Sequence, residues 1–324
     1  MMPFSSDTKT PAGIRAACIF GLAQGLEHSR PDVVLDEQGY VPRAEDNLLP
    51  GQALDQFASD LQAGVGQELL GKFKAVHSSA ALAVNCFAPL RAGSIPIDLA
   101  GRADLQVEGF ERKYPTGLAK AQPPHLDVVA SGPDALVAIE PKCLEYLIPK
   151  PAKFSERYAT GMVDERAAGP WFAEMQRLKQ TGAKRYRWLD AAQLIKHALE
   201  LANKAQSPTT LLYLYWEPMD AGLSNLFAEH RQEIANFADR VAGGTPRFEA
   251  ISYLELWDRW ANSVDPRLVA HVANLRARYE VPAWAWEMVE WKNGRLQSAD
   301  WMMDLIDEVD GEREAAAGAV KPAG

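Results

Sequence analysis

The chain has 324 residues, 47% hydrophobic and 24% charged, proportions that exclude a collagen-like, wholly disordered or disulfide-scaffold protein. Against 43 Asp and Glu stand 34 Lys and Arg, a formal charge of −9, so any nucleic-acid partner must meet a local basic surface rather than a whole-chain field. Three widely spaced cysteines, Cys18, Cys86 and Cys143, form no CxxC pair, which fits a reducing cytoplasm and neither a zinc knuckle nor a disulfide framework.

Residues 1–50 mix Ser, Thr, Pro and charge around one helical patch, Ile14–Leu26, and read as an N-terminal extension. Within it, Ala16–Ala23 lacks the basic lead and cleavage site of a secretion leader. The main domain is expected over 51–295. It opens on a helical pattern of Leu54, Phe57, Leu61, Leu69, Leu70 and Phe73. A second helix is predicted over Ala80–Phe87, stopping before Pro89 because proline removes a helix donor. Leu105–Phe110 alternates as a strand. His125–Ala130 and Ala135–Ile139 are two further strands around the turn Ser131–Asp134. Leu189–Ala205 is an amphipathic helix with Asp190 as N-cap. Thr209–Trp216 reads as a buried strand, Phe227–Val241 as a helix and Phe248–Ile251 as a short strand. Tyr253–Ala261 and Arg267–Tyr279 are helical. The tail, 296–324, turns to Glu, Ala, Gly and Pro and is expected to be largely disordered. No apolar run approaches the ~20 residues of a membrane span. The order of elements predicts an α/β protein with a mixed central β-sheet flanked by helices, plus helical additions.

One motif is a decoy. Gly66-Gln-Glu-Leu-Leu-Gly-Lys72-Phe73 imitates a phosphate-binding loop, but Phe73 replaces the hydroxyl residue and the preceding residues read as helix, so no nucleotide cofactor is expected. The hairpin is more informative. With Ala130 set against Ala135 across a four-residue turn, Asp127 falls opposite Ala138, and Asp127, Glu140 and Lys142 share one face. A one-residue slip would undo this. Two acids and a lysine suit Mg²⁺ or Mn²⁺ and phosphoryl chemistry. Pro141 lacks an N–H, keeps a carbonyl that could be a further metal ligand, and argues that the ladder ends or becomes an edge there. Glu-x-Lys occurs three times, at Glu111, Glu140 and Glu290, and only the middle copy closes an apolar strand with an acid upstream.

Gln193 and Lys196 lie three residues apart on one helix face, opposite an apolar stripe of Leu194, Ile195, Ala198 and Leu201. From Glu140 to Lys204 there are 12 Lys and Arg against 8 Asp and Glu. Lys150, Lys153, Arg157 and Lys196 in this stretch are the expected nucleic-acid contacts, with Tyr158, Trp171, Tyr186 and Trp188 available for stacking.

The runs Phe110–Gly117, Pro123–Val129 and Val137–Leu147, with His77–Ala80, Asn85, Leu189–His197 and Leu212–Pro218, resemble the PD-(D/E)XK nuclease superfamily, in its bacterial restriction-endonuclease-like branch. The likeness covers roughly residues 60–280. It implies a restriction-endonuclease-like core and a divalent-metal-dependent endonuclease acting on nucleic acid, expected to be DNA, in restriction, defence or repair. By position it implies Asp127 and Glu140 as metal ligands and Lys142 as the catalytic lysine. Glu68 would be the acid that many members bring from an early helix, and Gln193 a further site residue. The motif departs in reading His-Leu-Asp127 and in placing Pro141 between acid and lysine. The alternative is a catalytically inactive nucleic-acid-binding or structural protein on the same fold; a homodimer is compatible with either.

Overall fold

The computed structural model describes residues 10–63, 69, 71–113, 125–149, 152–154, 169–181, 186–202, 208–283, 289–292 and 295–298. Six strands form one sheet in chain order: β1 (Ile97–Leu99), β2 (Arg102–Lys113), β3 (His125–Gly132), β4 (Ala135–Lys142), β5 (Thr209–Tyr215) and β6 (Arg247–Ser252). Strands β1 to β4 run antiparallel to their neighbours, whereas β5 and β6 run parallel to β4. The change of sense follows from the connections. Only a tight turn separates β3 from β4. Between β4 and β5 lie α4 (Gly169–Thr181) and α5 (Ala191–Ala202), and between β5 and β6 lies α6 (Asn225–Val241), and helical crossovers of this kind join parallel strands.

Each face of the sheet is buried. Val137 and Ile139 of β4 and Leu212 and Leu214 of β5 join a core with α1 (Pro11–Ser29), α3 (Ser79–Ala92), α7 (Tyr253–Ala261) and α8 (Pro266–Tyr279). Ala138, Leu211, Tyr213 and Tyr215 join a second core beneath α4, α5 and α6. A strand covered on both sides must be apolar throughout, and every residue of β5 is buried. The sheet also curls. Arg247 Nη2 donates to Ala100 O at 2.6 Å and Trp260 Nε1 to Asp98 O at 3.0 Å, tying the β1–β2 end to β6 and α7. The short α2 (Ala58–Ala63) packs on β2.

Residues 10–50, set apart in the sequence reading as an extension, contribute to this core. Gly21 and Gly25, about one turn apart on α1, let the helix press against residues 278–282. A Cβ at either would come within 2.4 Å of the carbonyl oxygen of Pro282 or Arg278. Arg278, 1% exposed, closes the contact by donating to Leu22 O at 2.8 Å and Asn47 Oδ1 at 3.2 Å.

The helix expected to stop before Pro89 instead continues to Ala92. Proline at position 89 forfeits the bond to the carbonyl of Asn85, and Gln52 Nε2 takes that carbonyl at 3.1 Å. A side chain distant in sequence thus replaces the missing helix donor. Of the single helical pattern from Leu54 to Phe73, the described parts are 3₁₀ turns at Leu54–Gln56 and Lys72–Lys74 on either side of α2. The tail beyond Ser298 lies outside the described residues; before it, β7 (Val289–Lys292) and β8 (Arg295–Ser298) form a separate antiparallel pair.

Asn85, 0% exposed, joins three parts of the first core. Its Oδ1 accepts from Leu49 N at 2.9 Å, and its Nδ2 donates to Asn47 O at 2.8 Å and Tyr279 Oη at 2.6 Å. Replacing Asn85 with Ala strands a buried N–H and a buried carbonyl, each costing about 1–3 kcal/mol. Urea denaturation of Asn85→Ala is therefore expected to show stability lower by about 2–4 kcal/mol with an unchanged m-value.

Candidate active site

The β3–β4 hairpin turns on two residues, Pro133 and Asp134, not four. Gly132 pairs with Ala135, Ala130 with Val137 and Val128 with Ile139. The register is therefore shifted by two from the one expected. An even shift leaves every side chain on its expected face. It moves Asp127 from opposite Ala138 to opposite Glu140, one step beyond the last pair.

The β3–β4 ladder ends at Val128–Ile139, two residues short of Pro141, whereas the β4–β5 ladder continues through Pro141 to Lys142. Leu136 N donates to Pro208 O at 3.1 Å and Lys142 O accepts from Trp216 N at 2.9 Å, so the even-numbered backbone groups of β4 serve the β5 side. Odd-numbered groups face β3. The Pro141 carbonyl thus points toward β3 just past Val128–Ile139, where no strand pairing continues. The strands part there, and Asp127, Pro141 and Lys142 line a cleft of about 520 Å³.

Glu140 lies behind this cleft, 1% exposed. Lys142 Nζ donates to its Oε1, and His197 Nδ1 stands 2.9 Å from Oε2, off the line of a good hydrogen bond. Burial alone would raise the pKa of Glu140, but the charges of Lys142 and His197 outweigh it and hold the carboxyl below its ordinary range. For Lys142, burial opposes the charge, and Glu140, then Asp127 and Glu145, raise its pKa above the usual lysine value. Both groups are charged across the neutral range. Lys142 Nζ also donates to Gln193 Oε1 at 3.1 Å.

Helix α5 supplies this second layer because Asp190 fixes its start, accepting from Gln193 N at 3.0 Å. Its apolar stripe of Leu194, Ile195, Ala198 and Leu201 is buried as expected. Gln193 and His197, four residues apart, then reach Lys142 and Glu140. His197 was not singled out from the sequence, although its i+4 spacing from Gln193 was there to be read. Glu111 was also passed over, as one of the Glu-x-Lys copies without context. The pairs Phe110–Val128 and Arg112–Leu126 set it across from Asp127 on β2. It lines the same cleft, with its Oε2 2.8 Å from His125 Nδ1.

The other expected residues divide. Lys196 does not line the cleft; its Nζ sits over the Phe154 ring, 5.8 Å from the centroid. Lys153 is exposed. Glu68, Lys150, Arg157 and Tyr158 lie outside the described residues. Trp171, Tyr186 and Trp188 are core side chains, 0%, 6% and 3% exposed. They bond to Pro246 O at 2.9 Å, Glu174 Oε1 at 2.9 Å and Glu229 Oε2 at 3.0 Å, so they offer no stacking surface to bases. The sequence pattern could not separate an aromatic facing a groove from one closing the core.

A mixed sheet flanked by helices, with its hairpin opening into a cleft beside a buried acid–lysine pair, fits a restriction-endonuclease-like core. Residues 27–280 match the family described as restriction endonuclease associating with ARP. The chain belongs to that family. No curated protein and no solved structure matches it.

Deleting one partner of a buried ion pair leaves the other charge stranded, at a cost of about 3–5 kcal/mol. Glu140→Ala is accordingly expected to lose that much stability by chemical denaturation. The double variant Glu140→Gln/Lys142→Met, which removes both charges, is expected to lose markedly less.

Proposed function

We propose that the chain is a PD-(D/E)XK-type endonuclease that hydrolyses DNA phosphodiester bonds with Mg²⁺ or Mn²⁺. The observation that carries this reading is the buried Glu140–Lys142 pair, braced by Gln193 and set beside Asp127 where the β3–β4 ladder opens. Asp127, Glu140 and the Pro141 carbonyl would hold the metal, with Glu68 as a further ligand. Among the described residues, no three His, Cys, Asp or Glu side chains already converge as a metal site. The donor set nevertheless fits Mg²⁺, which usually takes one or two carboxylates and leaves its other positions to water and phosphate oxygens. Glu140 Oε2 also lacks a well-aligned donor although it is buried. The chemistry supplied by the bound metal is polarisation of the phosphoryl oxygen and a lowered pKa for the attacking water.

Lys142 keeps its proton in this environment. It would orient the water or stabilise negative charge on the phosphoryl group. Gln193 holds the ammonium in place. Water attacks phosphorus in line as the bond to the leaving oxygen breaks. Cys18, Cys86 and Cys143 are buried and free, and no described helix is long and apolar enough to cross a membrane; a cytoplasmic setting is part of the proposal.

A second reading, a binding protein without cleavage, is favoured by one feature: Lys142 and His197 already contact both oxygens of Glu140. Plasmid nicking with Mg²⁺ separates the two. Glu140→Gln and Lys142→Met, each assayed well below its own lowered melting temperature because each strands one buried charge, are expected to reduce cleavage by about 100-fold or more. No metal-dependent nicking by the wild type, with no heat of Mg²⁺ or Mn²⁺ binding, would decide for the second reading.

A further inference from the structure

The nuclease reading makes no use of Arg15. This residue sits on α1 and lines the same cleft as Asp127 and Lys142, on the wall that α1 and the start of α3 contribute. Among the described residues its guanidinium takes part in no ion pair. Its Nη2 lies 2.9 Å from His77 Nε2. Burial first, then the Arg15 charge, push the His77 pKa down to about 4, so the imidazole is neutral at pH 7 and its Nε2 lone pair accepts from Arg15. The proton then sits on Nδ1.

Two consequences follow. A neutral acceptor orients the guanidinium without cancelling its charge. His77 Nδ1 and Arg15 Nε are both buried and lack hydrogen-bond partners among the described residues, so the fold leaves the pair incompletely satisfied. Glu145 is the acid that acts on His77, but its Oε2 already accepts from Cys143 N at 2.8 Å. Lys72, exposed, lines the same wall and extends the positive charge. Arginine's planar fork suits a phosphate.

We propose that Arg15, seated by His77, binds a phosphate of the DNA backbone adjacent to the one being cut. The inference rests on the nuclease reading, in which Asp127 and Lys142 attend the scissile phosphate. It makes α1 a working wall of the cleft. Arg15 positions the strand; it does not touch the reacting atoms.

The test is fluorescence anisotropy with a short labelled DNA duplex and the full chain, Ca²⁺ replacing Mg²⁺, over a series of salt concentrations. Arg15→Gln is expected to weaken binding about tenfold, as for a lost hydrogen bond to a charged group. It should also reduce the slope of log K against log salt by about 0.9, the share of one phosphate contact. Arg15→Lys, which keeps the charge, should keep the slope. Wild-type affinity and slope in Arg15→Gln would overturn the subsite. So would equal losses in Arg15→Gln and Arg15→Lys with lowered melting temperatures, which would assign Arg15 to holding α1 in place. The two proposals fail separately. Glu140→Gln that still cuts, with binding dependent on Arg15, removes the catalytic assignment alone. Glu140→Gln that no longer cuts, with Arg15→Gln binding as wild type, removes the subsite alone.

Discussion

A carboxylate buried to 1% exposure at the end of a central strand survives only if charge is brought to it, because removing an ion from water costs several kcal/mol. Glu140 has that charge from Lys142 and a second close contact from His197. Lys142 comes from its own strand, two residues on. His197 comes from α5, which must therefore lie over the second face of the sheet with Gln193 and His197 turned to β4. The placement of α5, the apolar stripe that seats it and the Asp190 cap that starts it are all conditions for this one cluster. Breaking the cluster would destabilise the fold, so alanine at Glu140 is a poor probe of the proposed function alone.

The second constraint is the proline inside the motif. Pro141 donates no ladder bond, and the β3–β4 pairing ends two residues short of it. A hairpin that stayed zipped would cover Asp127, the Pro141 carbonyl and Lys142 with backbone. Parted strands expose them to a cleft whose other walls come from α1, α3 and β2. Those walls bring cations, Arg15 and Lys72, into one cleft with the acids Asp127 and Glu111. A charge of −9 over the whole chain is thus compatible with the proposed anionic substrate, which would meet only the local arrangement.

Much of the fold was legible because its elements carry strong local patterns. The strands β2 to β6 and the helices α5 to α8 follow from alternation, apolar stripes and capping residues, and each lies within a few residues of its expected place. The hairpin site was legible for a further reason: a register error of two residues preserves sidedness, so Asp127, Glu140 and Lys142 stayed together although the turn was misjudged. The aromatics of the basic stretch were misjudged because burial is a property of what lies opposite, which no local pattern states. The course of α3 through Pro89 depended on Gln52, 37 positions earlier, and the role of α1 on glycines that fit against residues 278–282.

The sequence by itself determined the kinds of element, their order, and the hairpin that holds an acid, a proline and a lysine close together, because these depend on spacing along a few residues. Tertiary structure alone decided that Glu140 is buried beneath Lys142, that His197 and Gln193 come to the pair, and that Arg15 and Glu111 share its cleft. Apart from the Glu140–Lys142 pair, those contacts join residues tens to more than a hundred positions apart, and only the packing of helices on both faces of the curled sheet sets such distances.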